Sequence, residues 1–102
     1  MSASRNISLP QAEITAFCRK WQVRELALFG SVVRDDFNAD SDIDVLVSFV
    51  IGSPWSLMDL IAMRDELAAL FGRSVDLVER EALRNPIRRA RILSTREVVH
   101  AA

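Results

Sequence analysis

The chain has 102 residues, of which half are hydrophobic and 26% are charged, and its formal net charge is −1. This composition indicates a folded globular protein, with enough length for one small core, and it argues against disorder. The length and the absence of an internal repeat or linker-like stretch predict one domain over residues 1–102. Because the positive excess typical of nucleic-acid-binding proteins is missing, we expect no direct nucleic-acid partner.

The single cysteine, Cys18, excludes an internal disulfide and follows the apolar Phe17, so we expect a buried thiol. The first residues carry no long apolar segment of the kind that forms a secretory signal, and no apolar run approaches the length of a membrane span. We therefore expect a cytoplasmic protein that does not associate with a membrane.

The predicted elements of the first half are a helix, a strand, a short helix and a second strand. The helix starts near Ser8–Gln11, with Ser8 as the cap, Pro10 at an early helical position and Gln11 in a capping box, and it runs to about Lys20. Strands are predicted over Val23–Phe29 and Ile43–Phe49, with a short helix from Ser31 to Arg34 and a polar turn over Asp35–Ser41.

The second half is predicted to contain a long helix, a third strand, a last helix and a tail. Ser56 caps the long helix with Asp59 three residues on, and Gly72 ends it. Its mostly apolar face is predicted to consist of Leu57, Leu60, Ile61, Arg64, Leu67, Ala68 and Phe71. Ser74–Glu79 is the third strand, the last helix runs from Asn85-Pro86 to about Leu93, and the tail Arg96–His100 could add a short strand.

This order of elements predicts a small α/β (α+β) domain with a mixed sheet that helices flank on at least one face. Within it, Asp42 and Asp44 stand at the start of an otherwise apolar strand and, two residues apart, project to the same side. Asp76 is similarly placed between Val75 and Leu77, and joins them if the second and third strands are neighbours. Such a carboxylate cluster suits magnesium or manganese.

A phosphate site is predicted upstream, where Gly30 and Ser31 follow the first strand. Glycine lets a phosphate approach the backbone, the amides that open the short helix point towards it, and Arg34 can reach the same anion. Each feature by itself has an ordinary explanation. Gly30 and Ser31 fit a simple strand-to-helix turn, Asp42 fits a strand-entry residue, and Asp76 could pair with an arginine. Together they provide what nucleoside triphosphate chemistry requires.

The segment FGSVVRDDFNADSDIDVLVSF resembles the signature of the polymerase-β-type nucleotidyltransferases, and the short chain resembles their minimal nucleotidyltransferase (MNT) group. The matching positions are Gly30, Ser31, Arg34, Ser41, Asp42, Asp44 and Asp76. One position departs from the family pattern, since Asp35 stands where a glycine usually follows the arginine, which adds negative charge beside the phosphate loop.

The resemblance implies the polymerase-β-like nucleotidyltransferase fold and a defined reaction. Asp42 and Asp44 would bind two Mg²⁺ ions, and Asp76 would complete the site and assist deprotonation of an acceptor hydroxyl. Gly30 and Ser31 would hold the β- and γ-phosphates of ATP, and Arg34 and Ser41 would also be nucleotide-binding residues. Many MNT proteins are antitoxins that transfer AMP to a HEPN-domain toxin ribonuclease, typically onto a tyrosine. This chain contains no tyrosine, so such an acceptor would lie on another chain.

Two other functions stay open at this stage: a non-catalytic antitoxin that acts by contact only, and nucleotidyl transfer to a small molecule. The arginines near the C-terminus are either a solvated helix face or contacts to an acidic partner or to nucleotide phosphate; they are Arg80, Arg84, Arg88, Arg89, Arg91 and Arg96. The apolar segment from Phe49 to Trp55 either packs into the core or forms a patch for a homo- or hetero-oligomer.

Overall fold

The computed structural model describes residues 7–102, in which four strands form a single sheet in the order β3-β2-β1-β4. β1 pairs antiparallel with β2 and β4, whereas β2 and β3 are parallel, so the predicted mixed α/β sheet is confirmed. The main elements are α1 (Gln11–Lys20), β1 (Val23–Phe29), β2 (Ile43–Phe49), α2 (Leu57–Phe71), β3 (Val75–Glu79), α3 (Pro86–Thr95) and β4 (Glu97–Ala101). Short 3₁₀ turns follow β1 (Gly30–Val33) and β3 (Arg80–Ala82).

The ends of α2 are those that the sequence predicts. Ser56 accepts a hydrogen bond from the Asp59 amide while the Asp59 carboxylate accepts one from the Ser56 amide, which is a complete capping box. At the other end Gly72 adopts the left-handed conformation (φ 68°), and its amide donates to the Ala68 carbonyl. Because α2 links two parallel strands, these ends determine where β2 and β3 lie beside each other.

The prediction that Ser8 caps α1 is wrong. Pro10 occupies the N-cap position, its carbonyl accepts from the Ile14 amide, and no side chain caps the helix. Proline is compatible with this position because the first amides of a helix have no partner within it. Gln11 does not form a capping box either, since its side-chain amide donates to the Val99 carbonyl of β4.

The two faces of the sheet have separate hydrophobic clusters. The larger cluster packs under α1 and α2 and includes Ile14, Phe17, Leu28, Val45 and Met63. It also contains Cys18, which is buried as predicted; burial raises the pKa of its thiol to about 12 and keeps it protonated. The smaller cluster packs under α3 and consists of Ala27, Phe29, Leu46, Leu83 and Ile92.

The predicted apolar face of α2 is confirmed in part, since Leu67 is buried and Leu60, Ala68 and Phe71 pack against the larger cluster. Met63 and Leu67 are the buried residues of the helix, whereas Leu57 is 73% exposed and Arg64 is exposed. The first half of α2 is apolar on nearly every side, so its periodicity does not determine which side meets the sheet. No helix among residues 7–102 is long and apolar enough to cross a membrane.

Candidate active site

The turn after β1 is shaped around a carboxylate. Gly30 has a φ of 73°, and a β-carbon built on it would lie 2.1 Å from Oδ2 of Asp44. The Asp44 side chain therefore occupies the space that any other residue at position 30 would need. Val32 and Val33, both buried, anchor the turn in the core, so its backbone is held beside the carboxylate.

Asp44 and Asp76 are register partners across the parallel pair of β2 and β3. Directly opposite residues in a sheet project from the same face, so the topology brings these two carboxylates side by side. Asp42 precedes β2 by one residue and, two residues before Asp44, follows the same alternation. Ile43, between them, is fully buried on the other face.

The electrostatics of the three carboxylates are unequal. Asp44 is half-buried, whereas Asp42 and Asp76 are exposed. Burial raises the pKa of Asp44, and the negative charges of Asp76 and Asp42 raise it further; Arg34 and Arg88 act in the opposite direction. The ionised form of Asp44 therefore carries a cost that a bound cation would remove.

The carboxylate oxygens are the donor type that Mg²⁺ prefers. The half-buried Asp44, with its raised pKa and two acidic neighbours, fits such an ion. Within residues 7–102, however, no three His, Cys, Asp or Glu side chains lie close enough together to form a metal site as they stand. Binding of Mg²⁺ by Asp42, Asp44 and Asp76 thus remains a prediction.

A cavity of about 530 Å³ adjoins Asp44, a volume in the range of small-ligand sites. Of the predicted site residues, Gly30, Arg34 and Asp44 line it. Its opposite wall is the cavity face of α3, formed by Asn85, Ile87, Arg88, Arg91, Ile92 and Thr95. From the sequence alone, Arg88 and Arg91 could face solvent, an acidic partner or nucleotide phosphate, because only the tertiary arrangement turns this side of α3 towards the Gly30 turn.

Two predicted nucleotide-binding serines are not among the lining residues of that cavity. Ser41 stabilises the loop before β2, since its hydroxyl accepts from the Asn38 amide and its own amide donates to the Asn38 carbonyl. The Ser31 carbonyl accepts from the Arg34 amide and closes the 3₁₀ turn. The nucleotide-binding roles of both serines stay predictions.

Arg34 lies between the cavity and the polar loop. Its guanidinium forms two hydrogen bonds to the Asp36 carboxylate, at 3.0 and 3.3 Å, and both side chains are exposed. The same loop is anchored from the α2–β3 connection by Arg73, which stacks on the Phe37 ring and donates to the Asn38 carbonyl at 2.7 Å. Sequence reasoning missed Arg73, whose position after Gly72 gives no signal of a loop contact.

The apolar segment from Phe49 to Trp55 is packed into the core at its ends and exposed in its middle, and the role of the exposed part as an oligomer patch stays a prediction. Phe49 and Trp55 pack against the larger cluster, and the Trp55 indole donates to the Trp21 carbonyl at 2.7 Å. Val50 and Ile51 are exposed, by 46% and 91%. The segment borders a second cavity of about 410 Å³, which Glu79 and Glu81 also line.

The mixed sheet carries a glycine turn against Asp44 and paired carboxylates on β2 and β3. This combination defines the class of protein to which the chain belongs. The sequence profile of the nucleotidyltransferase domain family matches residues 14–99, and the chain belongs to that family. Among its relatives is the protein adenylyltransferase MntA of Thermococcus cleftensis, 40% identical over 81 residues, which are 79% of this chain and 77% of that protein. Matches to several Methanocaldococcus jannaschii relatives extend over 66% of their length.

Solved structures have the same fold at lower sequence identity. A crystal structure of a toxin–antitoxin with AMP-PNP superimposes with a TM-score of 0.73 at 19% identity, covering 92% of this chain and 75% of the other. A complex of a tri-AMPylated Shewanella oneidensis HEPN toxin with its MNT antitoxin gives a TM-score of 0.66 at 16% identity, covering 99% and 74%. At these identities the likeness extends to the fold.

Proposed function

We propose that this protein transfers AMP from ATP to a hydroxyl group of a partner protein, with Mg²⁺ as the cofactor, and that the partner is a HEPN-domain toxin which the transfer silences. The observation that supports this most directly is the packing of the Asp44 carboxylate against Gly30 and beside Asp76. The relative named protein adenylyltransferase MntA and the AMPylated toxin bound to an MNT antitoxin support the choice of group and acceptor.

The proposed reaction begins with the triphosphate bound at the Gly30 turn, so that the α-phosphate lies near Asp44. The acceptor oxygen attacks the α-phosphorus, the bond from that phosphorus to the oxygen bridging to the β-phosphate breaks, and pyrophosphate leaves. The hydroxyl proton passes to the carboxylate of Asp76. Two Mg²⁺ ions held by Asp42, Asp44 and Asp76 would neutralise phosphate charge and favour ionisation of the acceptor.

The exposure of the carboxylates supports an acceptor on a protein. Asp76 lies on β3, which is an edge strand, and both Asp76 and Asp42 are exposed. The acceptor hydroxyl of a macromolecule can therefore approach this side of the site without passing through the α3 cavity. The proposed setting is the cytoplasm, where toxin and antitoxin would meet.

Label transfer to a co-expressed HEPN-domain protein tests the proposal. With ATP labelled at the α- or the γ-phosphate, we expect label on the HEPN protein from the α position only, with loss of the signal in an Asp42→Asn/Asp44→Asn double variant. The Asp65→Asn variant is the matched control, because Asp65 is an exposed carboxylate of α2 that pairs with Arg64.

Other outcomes distinguish the alternatives. Absence of transfer with intact capture of the HEPN protein by both wild type and double variant would indicate an antitoxin that acts by contact. Release of a labelled small nucleotide adduct, with no labelled protein, would indicate a small-molecule acceptor.

A further inference from the structure

Five of the six arginines near the C-terminus fall into two groups in the structure. Three form contacts that stabilise the fold: Arg96 pairs with Glu25 at 2.7 Å, Arg80 lies 4.0 Å from the same carboxylate, and Arg89 donates to the Arg80 carbonyl. Arg88 and Arg91 instead lie on the cavity face of α3 and are exposed. Among residues 7–102, no ion pair joins either of these two guanidinium groups to a carboxylate.

The spacing of Arg88 and Arg91 directs both to the same wall. Residues three apart are neighbours on a helix surface, so the two side chains extend from one face of α3 across the cavity from Gly30 and Asp44. Arg91 also lines an adjoining cavity of about 460 Å³ with Gly30 and Arg34. Arg88 is near enough to Asp44 for its charge to oppose the raised pKa of that carboxylate.

The negative charge of the site suggests a function for Arg88 and Arg91. The site contains three carboxylates, one just before β2, one on β2 and one on β3, which repel a polyanionic substrate. Arg34 already pairs with Asp36. A triphosphate bound at the Gly30 turn therefore needs further positive charge on its outer side. Guanidinium groups form two-pronged hydrogen bonds with phosphate oxygens, and two such groups on one rigid helix face the turn.

We propose that Arg88 and Arg91 bind the β- and γ-phosphates of the nucleoside triphosphate and thereby select triphosphate over monophosphate. The same contacts stabilise the negative charge on pyrophosphate as its bond to the α-phosphorus breaks. This inference rests on the proposed function for the identity of the nucleotide, but not on the identity of the acceptor.

The test measures binding of ATP and of AMP to the full chain in Mg²⁺ by titration calorimetry, without any acceptor. For Arg88→Gln and Arg91→Gln we expect ATP affinity to fall about tenfold each, as for the loss of a charge-assisted hydrogen bond, with AMP affinity unchanged within about twofold. The Arg84→Gln variant is the matched control, since Arg84 is exposed in the same segment and is not a lining residue of the cavity.

Three results would overturn the inference. Equal losses for ATP and AMP would mean that the arginines act on the base, the sugar or the fold. Unchanged ATP affinity with reduced capture of the HEPN protein would mean that Arg88 and Arg91 contact an acidic surface of the partner. If the wild type bound no measurable ATP, the site would not be a triphosphate site at all. Selective loss of ATP affinity in a protein that transfers nothing to the HEPN partner would support the inference while refuting the proposed acceptor.

Discussion

Replacing Gly30 by alanine should uncouple the stability of the protein from its activity. The added β-carbon would lie 2.1 Å from Oδ2 of Asp44, about 1 Å inside the closest approach that such atoms adopt. The backbone is fixed by the buried Val32 and Val33, so the carboxylate of Asp44 must move instead. A displacement of about 1 Å at a reacting group costs on the order of a hundredfold in rate.

The cost in stability is smaller and can be measured separately. A β-carbon in the left-handed conformation costs about 1–2 kcal/mol, which the reduced entropy of the unfolded chain partly offsets. Gly72→Ala has the same backbone penalty, since its φ is 68°, but its β-carbon would meet nothing within 4 Å. We therefore expect both variants to lose about 1 kcal/mol in urea unfolding, while only Gly30→Ala loses about a hundredfold in AMP transfer.

The two glycine variants distinguish backbone strain from a collision with the Asp44 carboxylate. If Gly72→Ala lost activity as severely as Gly30→Ala, the effect would come from backbone strain and not from the collision with Asp44. If Gly30→Ala kept full activity, the position of the Asp44 carboxylate against the turn would not matter for catalysis, and the site derived from it would be wrong.

Three further predictions concern individual side chains. Because the folded state raises the pKa of Asp44, this group contributes stability below its ordinary value of 3.8 that is lost as pH rises through the folded pKa. In chelator, Asp44→Asn should therefore gain thermal stability relative to wild type as pH rises to neutrality, and a constant difference would contradict this. Ser56→Ala should lose about 1 kcal/mol in urea unfolding, as expected for a lost N-cap, and an unchanged midpoint would show that the capping box contributes nothing. Ser48 is 1% exposed, and its hydroxyl accepts a hydrogen bond from Arg24 and donates one to Glu81. Ser48→Ala should therefore lose about 1 kcal/mol in urea unfolding, and an unchanged midpoint would contradict this.

The secondary structure, and the projection of Asp42 and Asp44 to one side of a strand, were predictable because both depend on local sequence. A short apolar run that ends at Gly30 marks β1, and β-branched residues mark β2. Ser56 with Asp59 marks the start of α2 in a way that tertiary contacts do not override. The placement of Asp76 beside Asp44 needed one further condition, that β3 pairs with β2, which the helix between them favours.

The sequence could not predict which side of a helix faces the sheet or the cavity when several sides are similar. The side of α2 that meets the sheet, with Met63 at its centre, depends on packing, because apolar side chains occur around most of the helix. Likewise Arg88 and Arg89 are neighbours in sequence, and only the docking angle of α3 sends one towards the cavity and the other towards the Arg80 carbonyl.

The distribution of the site along the chain has a consequence for protein synthesis. The turn at Gly30 and the strand of Asp44 can form a hairpin early, but Asp76 and the α3 wall of the cavity are translated later and reach the site only when β3 and α3 dock. Long-range contacts of this kind form late because they require closure of large loops. A ribosome-bound chain lacking α3 therefore lacks one wall of the cavity beside Asp44, so this cavity is complete only after α3 has been translated and has docked on the sheet.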